Sequence, residues 1–404
     1  PRVQGLAEMM NSYGVIHNDA EVVSKIVASQ AHHKKIDGHA PGLQGKDLDT
    51  YVAAGVYSDH ECATLEDALA KLQRGQFIMI REGTAAHNLE ALVPLLTPQY
   101  AERCMFCTDD KHPSDLLEKG HIDYIAREAI NKYGVDPIIA VKAACHHASR
   151  YFLLNNRGAI APGYLADFAV IDNFKDFNVE MVFKKGVLYW NNGELRDFDA
   201  PQIEEYLDKR AHDTFHVATL TPDDFRDTRQ RGVLGMVPGE IITTDNGYAD
   251  HVDLEKDILK IAVVERHKGT HHIGLGYIQG YGLRSGAVAT SISHDSHNII
   301  VVGTNSADMA FAANYIVEHH GGIVVVENGV VKGSVVLEIA GIMSDRPLTE
   351  VNDQLEAAKD AAFTLGVSRG IDPFMTLSFM ALPVIPKLRI TTRGVVDVDT
   401  QQYV

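Results

Sequence analysis

Short apolar runs recur along the first 150 residues, each followed by a polar loop and then by a stretch with apolar positions at helical spacing. The runs predict strands over residues 3–9, 35–38, 56–59, 77–81 and 105–108, and the intervening pattern predicts helices over 20–30, 46–54, 65–73 and 122–131. Strand, loop and helix repeated in that order read as βα units on a parallel sheet, an α/β architecture. A closed (β/α)8 barrel takes eight strands and roughly 250 residues. Five strands are visible, so a barrel reading puts three further units ahead of Pro1.

The pattern changes from residue 158. Gly158, Gly163, Gly186 and Gly193 punctuate short strands expected over 168–172 and 181–184, which make a small β layer. Residues 202–216 read as a helical connector. From about residue 218 a third region alternates strands at 258–265, 287–293, 299–302 and 323–327 with helices at 307–318 and 351–365, and no fixed-period repeat accompanies it.

Composition narrows the class. A chain of 404 residues that is 45% hydrophobic and 23% charged is globular throughout. Thirty-seven basic against 54 acidic residues give a net charge of −17, a field that repels phosphate backbones and anionic lipid, so neither nucleic acid nor a membrane is an expected partner. Four cysteines, with no secretory leader pattern and no apolar run long enough to span a bilayer, point to the cytoplasm.

Four polar side chains stand where the predicted parallel strands end: Glu8, His39, His60 and Asp109. Barrel active sites lie at those ends. Two imidazoles and two carboxylates are ligands suited to Mn²⁺, Fe²⁺ or Zn²⁺, and a carboxylate can bridge two metals. One strand-end histidine among 20 would more often be structural; four such residues in register make a metal site the better reading. Cys104-x-x-Cys107 opens a strand and reads as core packing rather than a zinc or redox pair. The His-x-Glu and Pro-Cys-x-x-Cys pattern of the zinc nucleobase deaminases is absent. Gly274-Leu275-Gly276 and Gly280-Tyr281-Gly282 lack the Lys-Ser/Thr of a phosphate loop and read as turns.

The runs Gly5-Leu6-Ala7-Glu8-Met9-Met10, Gly38-His39-Ala40-Pro41-Gly42-Leu43, Asp59-His60-Glu61, Arg81-Glu82-Gly83-Thr84 and Cys107-Thr108-Asp109-Asp110 together resemble the bacterial and archaeal adenine deaminases of the amidohydrolase superfamily. Ala161-Pro162-Gly163-Tyr164-Leu165-Ala166-Asp167 resembles the superfamily's signature after the barrel. Ser293-His294-Asp295-Ser296-His297-Asn298 and Leu382-Pro383-Val384-Ile385-Pro386 resemble the C-terminal domain peculiar to that family. The resemblance implies a partial (β/α)8 TIM-like barrel over 1–157, a β-sandwich segment over 158–200 and a C-terminal α+β domain over 201–404.

It also implies hydrolytic deamination of adenine to hypoxanthine and ammonia at a binuclear divalent metal site, Mn²⁺ or Fe²⁺ with Zn²⁺ as a further option, in a homo-oligomer. Carried over, Glu8 is the bridging ligand, His39 and His60 bind the second metal, and Asp109 binds the first and carries a proton; Arg81, Glu82, His294 and His297 are expected on the substrate side. The family's first metal also takes a His-x-His pair, which these residues lack, so the chain alone is expected to be an inactive piece of the barrel. Two other readings compete with this one. A cyclic-amide amidohydrolase usually has a carboxylated lysine where Glu8 stands, and a silent scaffold would keep the fold without the chemistry.

Overall fold

The five apolar runs of the first region do form parallel strands: β1 (Gly5–Met9), β2 (Lys35–Gly38), β3 (Ser58–Asp59), β4 (Phe77–Arg81) and β5 (Cys104–Cys107). The structure, a computed structural model, describes residues 3–84, 86–198, 202–227, 229–237 and 241–404, which divide into a unit over Pro1–Ala200 and another over Pro201–Val404. In the first unit β1 pairs with β2, and β3, β4 and β5 form a second sheet in that order. The amide of Tyr57 donates to Ile36 O at 2.9 Å, carrying the chain from β2 to the start of β3.

Helices alternate with these strands because caps and apolar spacing agree. Asp19 accepts from the amides of Glu21 and Val22, starting Ala20–Ala31, which buries Val22 and Ile26. Thr64 accepts from the Asp67 amide and starts Leu65–Gln73, whose buried face carries Asp67 and Lys71 as well as Ala68. The strand expected over 56–59 pairs only at Ser58 and Asp59, so His60 and Glu61 lie beyond the ladder.

The small β layer is an antiparallel meander of β6 (Phe168–Ile171), β7 (Val179–Lys184), β8 (Val187–Asn191) and β9 (Glu194–Leu195). Two-residue turns at Lys185-Gly186 and Asn192-Gly193 join its last three strands, with positive φ at all four positions, the backbone that suits the twist of a tight hairpin.

The second unit holds an eight-stranded sheet. Its strands are β10 (Arg231–Met236), β11 (Thr243–Ala249), β12 (Ile258–Val264), β13 (Ile273–Gln279), β14 (Ala287–Thr290), β15 (Ile299–Gly303), β16 (Gly322–Glu327) and β17 (Val330–Val336), in the order β11-β10-β13-β12-β15-β14-β16-β17. Only β10 and β13 pair in parallel. Ala262 and Val264 pack with Met309 and Ala313 of the helix Ser306–Glu318, whereas Ile261 and Val263 pack with Leu355 and Ala358 of the helix Leu348–Thr364. Burial on both faces explains why these strands read as unbroken apolar runs. Three further strands, β18 (Leu388–Thr391), β19 (Gly394–Asp397) and β20 (Gln402–Tyr403), make a separate small sheet.

Three sequence expectations change. The strand expected over 287–293 stops at Thr290, whose Oγ1 accepts from the Ile292 amide and turns the chain out of the ladder. Within 202–216 only Glu205–His212 is helical. Gly274-Leu275-Gly276 is not a turn but the middle of β13. A Cβ on Gly274 would stand 1.9 Å from Thr391 O, so glycine is there for the close approach of a neighbouring backbone.

Candidate active site

Each short parallel strand of the first unit delivers a polar side chain at its C-terminal end. Glu8 is the penultimate residue of β1, His39 follows β2, His60 and Glu61 follow β3, Arg81 closes β4, and Asp109 lies two residues past β5. His60 is the hub: its Nε2 is 2.9 Å from Glu8 Oε2, 3.2 Å from Glu61 Oε1 and 4.0 Å from Asp109 Oδ2. His39 Nδ1 is 3.5 Å from Glu8 Oε2 and 3.6 Å from Glu61 Oε1, and the two imidazole rings stand 5.6 Å apart, edge to face. Donor atoms of Glu8, His39 and His60 lie within 4.8 Å of one another, as do those of His60, Glu61 and Asp109. The four strand-end residues read from the sequence therefore fall into two overlapping sets that share His60, and Glu61 completes the second.

The charges are strongly coupled. Burial opposes ionisation of Glu8, but the His39 and His60 rings beside it outweigh that and hold its carboxyl at about 2. Burial likewise opposes charge on Glu61, which His60, Arg81 and His39 hold at about 2. Burial favours a neutral His60 ring; Glu61 and Glu8 override it and push the ring up to about 10. Three carboxylates thus face two imidazoles, and two of them, Glu61 and Asp109, also meet the Arg81 guanidinium.

That donor set fits a divalent cation. His39 is 5% exposed, yet neither of its ring nitrogens makes a hydrogen bond, and Nδ1 faces two carboxylate oxygens across a gap. An imidazole left unsatisfied in a buried, acidic pocket is the arrangement a metal completes.

Arg81 and Glu82, neighbours in sequence, point to different partners. Arg81 is buried and donates to both oxygens of Glu61 and, at 2.8 Å, to Asp109 Oδ2, with Nε 3.2 Å from Asn88 Oδ1. Glu82 instead takes His87 Nδ1 at 2.8 Å and the amide of Leu89 at 3.2 Å. Cys104 is buried in the core beside Ile78 and Phe106. His294 and His297 belong to the second unit. Their rings stand 5.8 Å apart, His294 stacks on Phe379 at 4.7 Å, and His297 Nδ1 accepts from the Ser293 amide at 3.2 Å.

Sequence reasoning missed Glu61. Adjacent residues of a strand point to opposite faces, which argues for His60 alone. Because β3 ends at Asp59, both residues sit on a loop and both turn toward His39.

Residues 3–189 match the amidohydrolase family, and residues 240–402 match the adenine deaminase C-terminal domain. Over 418 residues the chain is 44% identical to an adenine deaminase of Desulfatibacillum aliphaticivorans, covering 100% of this chain and 72% of that protein. Its identity to an adenine deaminase of Nitratidesulfovibrio vulgaris strain DP4 is 44% over 417 residues, covering 100% of this chain and 71% of the relative. For an adenine deaminase of Dehalococcoides mccartyi strain 195 it is 44% over 413 residues, with 99% and 70% covered.

Proposed function

The chain belongs to the adenine deaminase family, and from that premise we infer that it serves the hydrolytic deamination of adenine to hypoxanthine and ammonia. The observation that carries this reading is identity of 44% that runs through both units rather than through the amidohydrolase part alone. A cyclic-amide hydrolase is disfavoured by the match of residues 240–402 to the adenine deaminase C-terminal domain.

Membership of the amidohydrolase superfamily implies a divalent metal. When bound, such a cation supplies Lewis acidity, which makes water a competent nucleophile at neutral pH. We propose that Glu8, His39 and His60 would hold it, with His60, Glu61 and Asp109 as the adjoining donor set; the bridging role of Glu8 is carried from the family resemblance, and Mn²⁺, Fe²⁺ and Zn²⁺ all accept these donors.

The protein's own groups account for the proton traffic. Asp109 is the most exposed carboxylate of the cluster and lies 4.0 Å from His60, so it can take a proton from the attacking water and return it to the departing amine at C6 of the purine. Arg81, fixed to Asp109 and Glu61, holds that carboxylate in place. Glu82, His294 and His297 are proposed on the substrate side from the family resemblance. Ammonia release from adenine, adenosine and AMP tests the reading: adenine is the expected substrate, and faster turnover of either larger compound refutes it.

A further inference from the structure

His39 and His60 lie past the last ladder hydrogen bonds of β2 and β3, so the backbone sheet does not set the distance between them. A buried side-chain network does. Asp59 Oδ1 accepts from the amide of Ala40, the residue after His39, at 2.7 Å, and Asp59 Oδ2 accepts from the amide of Glu61, the residue after His60, at 3.1 Å. One fully buried carboxylate therefore ties the two histidine loops together. Lys71, also fully buried on the helix Leu65–Gln73, holds the tie from below: its Nζ donates to Ala40 O at 2.7 Å, to Asp59 Oδ2 at 3.0 Å and to Asp67 Oδ2 at 2.8 Å. On the other flank the Tyr51 hydroxyl accepts from the His39 amide at 2.9 Å and donates to Met9 O at 2.5 Å, joining the His39 loop to the strand end that bears Glu8.

We propose that Asp59, braced by Lys71, and Tyr51 are positioning residues that set the spacing of the Glu8, His39 and His60 ligands. The proposal rests on the metal-site reading above. None of the three side chains is offered as a ligand; they hold the backbone on either side of each ligand. A carboxylate used this way is hard to replace. An amide at position 59 would turn an NH2 toward Lys71 and the Glu61 amide, or toward the Ala40 amide, so one loop loses its acceptor.

Asp67 supplies the control. It pairs with the same lysine at 2.8 Å, but its other oxygen makes no hydrogen bond, so it stabilises Lys71 without holding either loop. Asp59→Asn, Asp67→Asn and Tyr51→Phe would each be compared with the natural protein for Co²⁺ affinity by chelator competition, for the visible spectrum of the bound Co²⁺, and for thermal midpoint without metal. Changes to groups that orient metal ligands typically weaken affinity about 10- to 100-fold. That loss, with an altered Co²⁺ spectrum, is expected for Asp59→Asn and Tyr51→Phe, while Asp67→Asn keeps the natural spectrum and an affinity within about threefold despite its lower midpoint. Equal effects of Asp59→Asn and Asp67→Asn on affinity and spectrum would overturn the proposal. Should Asp59→Asn fail to fold, Tyr51→Phe decides, because loss of one hydroxyl preserves shape, and an unchanged spectrum in that variant overturns the proposal. Failure of the natural protein itself to bind Co²⁺ would instead remove the metal site, and the positioning role with it.

Discussion

His60 Nε2 lies 2.9 Å from Glu8 Oε2, although Glu8 sits on β1 and His60 on the loop after β3, a strand of a different sheet. The contact brings the ends of β1 and β3 together with His39 between them. In the complete protein Glu8→Gln, His39→Asn and His60→Asn are each expected to lower adenine turnover by orders of magnitude and to lower bound metal, whereas Asp109→Asn lowers turnover with less loss of metal. Elemental analysis beside turnover checks this, and natural activity in the His39 variant would take that residue out of the site.

Arg81 compensates two carboxylates from inside the protein. Breaking a buried ion pair by deleting one partner costs about 3–5 kcal/mol, so Arg81→Met should lower stability to denaturant by a value near the bottom of that range, Asp109 being partly exposed. Turnover should fall through kcat more than through KM, and Arg81→Lys should rescue little, because an ammonium cannot make the forked contact to Glu61. An effect confined to KM would return Arg81 to direct substrate contact.

A pH prediction follows from Glu265, well away in sequence from the metal ligands. Burial raises its pKa, but the amides of Thr270, Lys268 and His267 and the Thr270 hydroxyl outweigh that and bring it from 4.5 to about 2. A depressed carboxyl adds stability that is fully present above pH 4.5 and is lost as pH falls through about 2. Glu265→Gln should therefore destabilise the natural protein by about 3 kcal/mol at neutral pH, with the difference shrinking below pH 4.5. Urea titrations at several pH values read it, and a difference constant down to pH 2.5 would contradict it.

Gly274→Ala should cost about 1–3 kcal/mol, the usual range for overpacking, because the new methyl meets a backbone carbonyl that cannot swing aside. The measurement is the thermal midpoint, and a neutral result would mean that β13 and the Thr391 turn separate easily.

The ends of β4 and β5 were legible because each is a short apolar run closed by polar residues, whereas β2 and β3 are polar or alternating and are legible only from their place between helices. The spans 35–38 and 77–81 match β2 and β4 residue for residue, and 65–73 and 122–131 match two helices. Partnerships were not legible. Arg81 meets Glu61 and Asp109, 20 and 28 residues away, and nothing local marks it as buried. Lys71 reads as the polar face of an amphipathic helix until Asp59 is seen against it. In the second unit β10, β13 and β17 are illegible in the sequence because Gly232, Gly235, Gly274, Gly276 and Gly333 look like breaks, whereas Gly274 and Gly333 stand against the backbone of Thr391 and Ala358, and Gly232, Gly235 and Gly276 leave room for side chains such as Val395 and Thr244.

Ammonia release from adenine by the complete protein, before and after stripping with a chelator and again after Mn²⁺ is restored, tests the central claim most directly. Activity should vanish with the metal and return with it. Undiminished release from protein shown by elemental analysis to hold no divalent metal would contradict the account.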